Sequence, residues 1–338
     1  CEYCKNIEDS GHKSDRHLHL TMPDQVPPEL EYDLTAVEVT PQIVEIYFDN
    51  ICNMSCLYCW DGFSSKIQQE NQRFGRFEKQ GVVIDNRAKK VSNIELLTEK
   101  FWTWMYEHGK KIKKLNVLGG EPFYQKQFET CLEFIEHHPL PNLDLTVVTN
   151  LMIADQKFQQ QITRIRRLVE KKHLSSLHIT ASIDCFGTEQ EYVRYGLDLE
   201  QWRRNFEYVC NQRWIKLQIN QTLSALTIKT IPELLNYINQ FSDRSIGHYF
   251  STVVHTHEFL HPGIFVPGFF DKEFEIILKL MHGDVNYMQG IQGQINSQAR
   301  SQDKIDQLAI FLDEIDRRRN LNWRQTFPWL TKEVSHVV

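Results

Sequence analysis

Several features are scarce in this sequence, and each scarcity excludes a class of protein. Cysteine accounts for only 8 of the 338 residues, which is too few for a small scaffold built on disulfides. No apolar run approaches the roughly 18 residues that a membrane-spanning helix needs. Positive charge is not in excess, because 38 Lys and Arg against 44 Asp and Glu give a net charge of −6. General nucleic-acid binding through a global positive field is therefore excluded.

The start of the chain also lacks a charged-then-apolar leader, so we expect no signal peptide. The first residue is Cys1 rather than Met, and we expect the numbering to begin inside a longer chain. The hydrophobic fraction of 41% indicates a globular protein with a sizeable core. A length of 338 residues suggests one large domain with an appendage, or two domains.

What the sequence does contain is an alternation of strand and helix patterns, which is typical of a parallel sheet. Apolar, β-branched runs alternate with segments whose apolar residues recur every three or four positions. The alternation predicts an α/β protein with an all-parallel sheet or partial barrel. The predicted strands are Val44–Phe48, Lys114–Leu118, Leu143–Thr149, Leu177–Ile183, Lys216–Thr222 and His248–Val254. The predicted helices between them are Ile94–Glu107, Phe128–His137, Phe158–Lys171, Leu199–Cys210 and Ile231–Phe241.

Outside this alternation the chain divides into two flanking segments. We expect an irregular extension over residues 1–41, the barrel over 42–258, and a C-terminal helical segment over 259–338. Two helices are predicted in the last segment, from about Phe270 to Met281 and from about Gln302 to Arg318. The run Arg317, Arg318, Arg319 closes the second helix, where positive charge suits the helix dipole. It predicts a solvated helix end.

Five of the cysteines fall into two tight clusters, which indicates metal binding in a reducing cytoplasm. The stronger cluster is Cys52, Cys56 and Cys59, a CxxxCxxC directly after the first predicted strand. Three thiolates can ligate three irons of a cubane cluster and leave the fourth iron open for another ligand. A zinc site would have to recruit a fourth ligand such as His, and a chance group of buried cysteines is the remaining alternative.

This motif, with Tyr58 just before its last cysteine, resembles the radical S-adenosylmethionine (SAM) superfamily. Gly119-Gly120-Glu121-Pro122 after the second predicted strand is similar to the family's GGEP motif. The resemblance implies a partial (β/α)6 TIM-like barrel that binds a [4Fe–4S] cluster through the three cysteines. It also implies that the GGEP backbone and carboxylate hold the methionine amino group of SAM.

Polar residues at the ends of later strands extend the resemblance. Asn150, Ser182 and Asp184 resemble the family's positions for SAM ribose and carboxylate, and Asn220 adds a polar group on the fifth strand. Arg194 matches an arginine that could pair with the SAM carboxylate in a bidentate way. Each could instead be a satisfied polar residue at a strand end.

Cys185 stands where the family pattern usually has glycine after Ser-Ile-Asp. This departure leaves a thiol near the expected cofactor. A buried inert cysteine and a hydrogen-atom donor are the two interpretations, and the first is the more common.

The second cluster, Cys1-Glu2-Tyr3-Cys4, is similar to the segment that precedes the core in radical SAM proteins with a twitch domain. Such a segment can hold an auxiliary [4Fe–4S] cluster. We expect Cys1 and Cys4 to be two of its ligands, with the others upstream of this numbering. A zinc knuckle and two free thiols are the alternatives.

The resemblance implies reductive cleavage of SAM to a 5′-deoxyadenosyl radical, which abstracts a hydrogen atom from a substrate. An electron donor such as flavodoxin or ferredoxin would be a partner. The implied substrate is a peptide or protein side chain, to be crosslinked, epimerised or oxidised. A small metabolite, such as an amino acid, sugar or nucleoside derivative, is the alternative, and a non-catalytic zinc-binding interaction module is the alternative of another class.

Overall fold

The structure, a computed structural model, describes residues 40–84, 94–251, 253–254, 257–282 and 285–335. Residues 41–338 form one compact unit. The predicted extension 1–41, with Cys1 and Cys4, lies outside the described residues except at its end. The predicted division at 258/259 stays a prediction. Among the described residues, no helix combines the length and the apolarity that crossing a membrane requires.

Parallel strands dominate the fold, as the alternation predicts. Six of them pair side by side in the order β1-β5-β6-β7-β9-β10, and every pairing is parallel. With helices in the connections, this is the α/β architecture of a partial TIM barrel. The strands are β1 (Ile43–Tyr47), β2 (Ser55–Cys56), β3 (Phe77–Lys79), β4 (Val82–Ile84), β5 (Lys114–Leu118), β6 (Leu140–Thr149), β7 (Leu174–Ser182), β8 (Arg194–Tyr195), β9 (Lys216–Thr222) and β10 (Ile246–Ser251).

The helices between the strands are amphipathic, and their apolar stripes cover one face of the sheet. In α4, for example, Phe158, Ile162, Ile165 and Leu168 are buried at intervals of three and four residues. The helices are α1 (Ser65–Phe74), α2 (Ile94–His108), α3 (Lys126–His137), α4 (Asp155–Glu170), α5 (Gly187–Val193), α6 (Leu199–Asn211), α7 (Ile231–Ile238), α8 (Asp271–Leu280), α9 (Val285–Asn296), α10 (Gln302–Arg319) and α11 (Trp323–Thr326).

The two faces of the sheet differ sharply in polarity. Leu115, Val117, Leu145 and Val147 join the buried cluster that packs against the helices. Their neighbours along β5 and β6 point the other way, because side chains alternate along a strand. That second face is largely polar. Its central row runs across four adjacent strands in register: Asn116, Thr146, His178 and Lys216.

A second buried cluster joins the C-terminal helices to the segment after β1. It contains Phe77 and Ile84 from a small antiparallel hairpin, together with Phe311 and Ile315 of α10. The hairpin and α1 precede the helix predicted at Ile94–Glu107, in a stretch for which the sequence analysis predicts no strand or helix. Helix α1 buries a single apolar residue, Ile67, so it has no apolar period to detect. Its first turn is capped by the Ser64 side chain, which accepts a hydrogen bond from the amide of Ile67.

Candidate functional site

The predicted site residues that the structure describes lie at one edge of the sheet. In a parallel sheet all strand C-termini meet at the same edge, where active sites of such folds form. The loop with the three cysteines follows β1, and the Gly119-Gly120 turn follows β5. Asn150 follows β6 and Asp184 follows β7. Ser182 at the end of β7 lies directly opposite Asn220 of β9.

The three cysteines of the loop differ from the other described cysteines in their exposure. Cys52, Cys56 and Cys59 are each partly exposed, whereas Cys131, Cys185 and Cys210 are buried. The loop is held by short contacts within itself. The amide of Cys52 donates to Ser65 Oγ at 3.1 Å, and the amide of Cys59 donates to the carbonyl of Cys56 at 3.2 Å. The cysteine residues of this loop therefore lie nearer the protein surface than the other three.

The thiols of the loop influence one another's ionisation. Burial and, to a smaller extent, the neighbouring Cys56 together raise the pKa of Cys59 to about 12. The pKa of Cys52 is raised first by burial and then by Cys56. The pKa of Cys56 is also raised by burial, against the opposing charge of Arg194. Three thiols that oppose each other's ionisation fit a cationic centre, because a metal ion deprotonates its thiol ligands.

The arrangement is also informative about which metal centre would fit. Among the described residues, no group of three or more His, Cys, Asp and Glu side chains is arranged to hold a metal ion. A mononuclear zinc site needs ligands that converge on one atom. In a cubane cluster each thiolate binds a different iron, so its ligands do not converge in this way. The donor set of three thiols on one loop fits such a cluster.

The Gly119-Gly120 turn packs directly against the cysteine loop. Both glycines have positive φ, +82° and +59°. A Cβ on Gly120 would lie 2.3 Å from the carbonyl oxygen of Ile51, the residue before Cys52. The amide of Glu121 donates to that same carbonyl at 2.8 Å. The turn therefore requires glycine because the backbone of the cysteine loop passes so close to it.

Glu121 links the C-terminal ends of β5 and β6 by hydrogen bonds. Its carboxylate is fully buried and accepts hydrogen bonds from Thr149 Oγ1 at 2.8 Å and the amide of Asn150 at 2.7 Å. Burial raises its pKa to about 7, against the lowering effect of these two bonds. Asn150 in turn donates to Asn53 Oδ1 at 2.9 Å, with Cys52 Sγ at 3.9 Å. Glu121 thus connects β5 and β6 to the cysteine loop.

Asp184 and Arg194 form a buried ion pair beside the cysteines. Arg194 donates from Nε and Nη2 to the two carboxylate oxygens of Asp184, at 2.9 and 2.8 Å. Its remaining nitrogen, Nη1, points to Cys56 Sγ at 4.0 Å. The hydroxyl of Tyr58 donates to Asp184 at 2.6 Å, and so does the amide of Thr222 at 2.9 Å. Tyr58, Asp184 and Arg194, predicted separately, are one network.

Cys185 follows this network and is fully buried. Its amide donates to Gln190 Oε1 at 2.9 Å, and its thiol lies 3.5 Å from the same oxygen. Burial raises the pKa of the thiol well above its usual value. These contacts favour the structural interpretation over a hydrogen-atom donor.

One prediction about the C-terminal arginines is wrong. Arg317 is solvated, as expected, but the side chains of Arg318 and Arg319 are only 4% exposed. Arg319 donates to the carbonyl of Ser55 at 2.9 Å and to Glu70 at 2.9 Å. The last turn of α10 therefore packs on the cysteine loop rather than in solvent. The spacing of residues along the sequence does not predict this contact, because Glu70 and Ser55 precede Arg319 by about 250 residues.

The polar face of the sheet below the site contains unpartnered atoms. Asn116 Oδ1, Thr146 Oγ1 and His178 Nε2 are buried and make no hydrogen bond to any residue that the structure describes. They belong to neighbouring positions on β5, β6 and β7. Burial lowers the pKa of His178 to about 4, with Lys216 contributing in the same direction. Asn116, Thr146 and His178 are therefore polar but uncharged near neutral pH.

No protein-family model matches the chain, and no curated protein matches it. Solved structures do resemble it. SuiB of Streptococcus suis bound to S-adenosylmethionine aligns with 64% of this chain and 42% of its own, at 14% identity and a TM-score of 0.41. SuiB bound to the precursor peptide SuiA aligns with 74% of this chain and 52% of its own, again at 14% identity and a TM-score of 0.41.

Native anSMEcpe with bound AdoMet aligns with 77% of this chain and 62% of its own, at 15% identity and a TM-score of 0.41. The chain thus spans about half the length of these proteins. At such identities and TM-scores, function has to be argued from the residues of the chain itself.

Proposed function

We propose that this protein is a radical SAM enzyme. One observation carries the proposal: three partly exposed, mutually interacting thiols in CxxxCxxC spacing lie on the loop after β1, packed against a Gly-Gly turn at the end of β5. Cys52, Cys56 and Cys59 would hold a [4Fe–4S] cluster. When bound together, the cluster and SAM supply a 5′-deoxyadenosyl radical that takes a hydrogen atom from the substrate.

The residues around the cysteines would hold SAM by hydrogen bonding. The carbonyl of Gly120 and the carboxylate of Glu121 offer acceptors for the amino group of SAM. The carbonyls of Gly119 and Glu121 already accept from Gln125 and Tyr124, whereas the carboxylate of Glu121 keeps one acceptor site beside its three donors. Asn150, Ser182 and Asn220 offer polar groups at neighbouring strand ends for the ribose and the carboxylate.

Arg194 and Asp184 would act together in SAM binding. Two of the three guanidinium nitrogens of Arg194 are engaged by Asp184. Nη1 is the nitrogen that we propose donates to the SAM carboxylate. Tyr58 donates a hydrogen bond to Asp184 and therefore lies beside the same part of the proposed SAM site. A rigid, partly dry site of this kind suits radical chemistry because it orients the reacting groups and excludes water.

The proposed substrate is a peptide or protein side chain. The support is the resemblance of the Cys1/Cys4 segment to auxiliary-cluster enzymes, which often act on peptides. A soluble one-electron donor of the flavodoxin or ferredoxin type and a cytoplasmic location belong to the same proposal.

Anaerobic reconstitution tests the proposed chemistry. We expect a brown protein with absorption in the iron–sulfur charge-transfer region, which cleaves SAM to 5′-deoxyadenosine on reduction with dithionite. A colourless, zinc-loaded protein without affinity for SAM would overturn the proposal and favour the zinc-binding module.

The substrate class is tested by stimulation of that cleavage. A library of short peptides should increase the rate of 5′-deoxyadenosine formation and acquire mass changes, whereas free amino acids, sugars and nucleosides should do neither. The opposite result would favour a small metabolite. In a chain extended upstream to include the remaining ligands, replacing Cys1 and Cys4 with Ala should lower the iron content by about four per chain.

A further inference from the structure

The three consecutive arginines in the last turn of α10 differ in their exposure and in their partners. Arg317 is 57% exposed; it forms an ion pair with Glu314 of its own helix and lies 5.3 Å from the ring centre of Phe74. The side chains of Arg318 and Arg319 point inward. Arg318 donates to the carbonyl of Gly75, and Arg319 donates to Glu70 and to the carbonyl of Ser55. Buried arginines are uncommon unless they are paired, so their partners indicate what this turn does.

Arg319 joins three separate segments. Its Nη1 donates to the carbonyl oxygen of Ser55 at 2.9 Å, and its Nε donates to Glu70 of α1 at 2.9 Å. Its guanidinium carbon also lies 5.2 Å from the ring centre of Tyr195. Ser55 and Tyr195 are opposite each other in the two-residue ladder of β2 and β8. Arg319 therefore holds both strands of that ladder.

The carbonyl that Arg319 engages belongs to the peptide unit that leads into Cys56. Because a peptide unit is planar, fixing its oxygen also fixes the direction in which Cys56 leaves it. In the same ladder, Cys56 lies opposite Arg194. The backbone at Cys56 is thus restrained from two sides by distant parts of the chain.

Arg318 supports the same arrangement. It donates to Glu314 at 2.8 Å and lies over the ring of Phe77, 5.4 Å from its centre. A cavity of about 20 Å³, large enough for one water molecule, lies between the helix end and the loop. Its lining includes Cys56, Cys59, Glu70, Arg318 and Arg319. The end of α10 therefore lies immediately beside two of the three thiols.

We propose that Arg319 is a positioning residue for Cys56. Through the carbonyl of Ser55 it sets the direction in which Cys56 presents its thiol, and Glu70 holds the guanidinium in place. The helical C-terminal segment is in this way part of the cysteine site. The effect on a bound cluster rests on the proposed function, whereas the effect on the thiol of Cys56 does not.

The first test uses the metal-free protein and measures the alkylation rate of each cysteine with iodoacetamide by peptide mass spectrometry. Arg319→Lys keeps the positive charge that favours the Cys56 thiolate but cannot reach both partners at once, so we expect the rate at Cys56 to rise about threefold. Arg319→Gln also removes that charge, which slows alkylation, so its rate at Cys56 should lie below that of Arg319→Lys. Arg317→Gln is the matched control and should leave the rate unchanged.

Cys131, which is fully buried in the core, reports unfolding of the whole protein in the same experiment. Its rate should stay at the wild-type value in all three variants. An unchanged rate at Cys56 in Arg319→Lys, or equal increases at Cys56 and Cys131, would overturn the proposal. If Arg319→Gln does not fold, the alkylation rates of Cys56 and Cys131 in Arg319→Lys test the proposal in the same way.

The second test uses the reconstituted, dithionite-reduced protein. We expect the electron paramagnetic resonance spectrum of the cluster to change in Arg319→Gln and to stay unchanged in Arg317→Gln, at equal iron content. Identical spectra would overturn the link to the cluster. If the wild-type protein assembles no cluster, the proposed function fails, and the alkylation rates still decide the role of Arg319.

Discussion

Arg194 donates hydrogen bonds from two nitrogens to both carboxylate oxygens of Asp184, at 2.9 and 2.8 Å. The side chains are 8% and 0% exposed, so this pair lies almost entirely out of water. The rest of the guanidinium faces Cys56, and the rest of the carboxylate is bonded by Tyr58 and the amide of Thr222. The pair therefore connects the cysteine loop to the ends of β7 and β9.

Removing only one partner of this buried ion pair should lower the free energy of unfolding. Arg194→Met leaves the carboxylate of Asp184 buried without its cation, and we expect the free energy of unfolding to fall by about 3–5 kcal/mol. The double variant Arg194→Met/Asp184→Asn removes both charges and should recover a large part of this loss. Urea denaturation of the wild type, both single variants and the double variant measures the coupling. Additive losses would show that the two side chains do not interact.

The thiols of the cysteine loop should be required for iron binding. Changing Cys52, Cys56 and Cys59 together to Ala should abolish the cluster absorption and the formation of 5′-deoxyadenosine. Cys210→Ala is the matched control, since this thiol is buried in α6 and away from the loop. It should retain both signals. Full SAM cleavage by the triple variant would contradict the assignment of these ligands.

Gly120 should tolerate no side chain. Gly120→Ala places a Cβ 2.3 Å from the Ile51 carbonyl at φ +59°, so the cysteine loop must shift. We expect a loss of at least about 1–2 kcal/mol from the backbone conformation alone, together with weaker iron binding. Gly290→Ala in α9 is the control, because no atom lies within 4 Å of its added Cβ. That change should stabilise the helix, by up to about 1 kcal/mol. Equal melting temperatures of the two variants would contradict this account.

The buried row on the polar face of the sheet should make stability depend on pH. The pKa of His178 is lowered to about 4 by burial and by Lys216 and Lys114, against the opposing charge of Asp144. The unfolded chain therefore binds a proton at this position from about pH 6.5 downward, whereas the folded protein does so only near pH 4. Stability should fall as the pH falls through this window. His178→Gln should make the fall shallower in urea titrations at pH 7, 6, 5 and 4, and parallel curves would contradict the role of this histidine.

The parts of this structure that can be predicted from the sequence are those that depend on residues close together along the chain. The strands β5 and β9 begin and end where their β-branched runs do, because a strand in a parallel sheet must be apolar on the face that packs against helices. The cysteine triplet is equally local, since its spacing alone identifies three thiols on one loop.

The rest depends on contacts between distant residues. Arg319 pairs with Glu70, 249 positions earlier, and no periodicity relates them. The three arginines have the same chemistry in the sequence, and only tertiary packing separates the solvated one from the two buried ones. The same holds for Glu121, whose carboxylate is used by Thr149 and Asn150 at the next strand end.

The distances along the chain also bear on when the cysteine site can form. Each strand of the sheet pairs with the strand that next joins it along the chain, so the sheet can grow as the polypeptide is synthesised. The partners of the cysteine loop arrive much later: Arg194 follows Cys56 by 138 positions, and Arg319 follows Ser55 by 264. A nascent chain that has completed the sheet still lacks the helix end that holds Ser55. We therefore expect the cysteine site to be complete only once Arg319 has left the ribosome, after the sheet has formed.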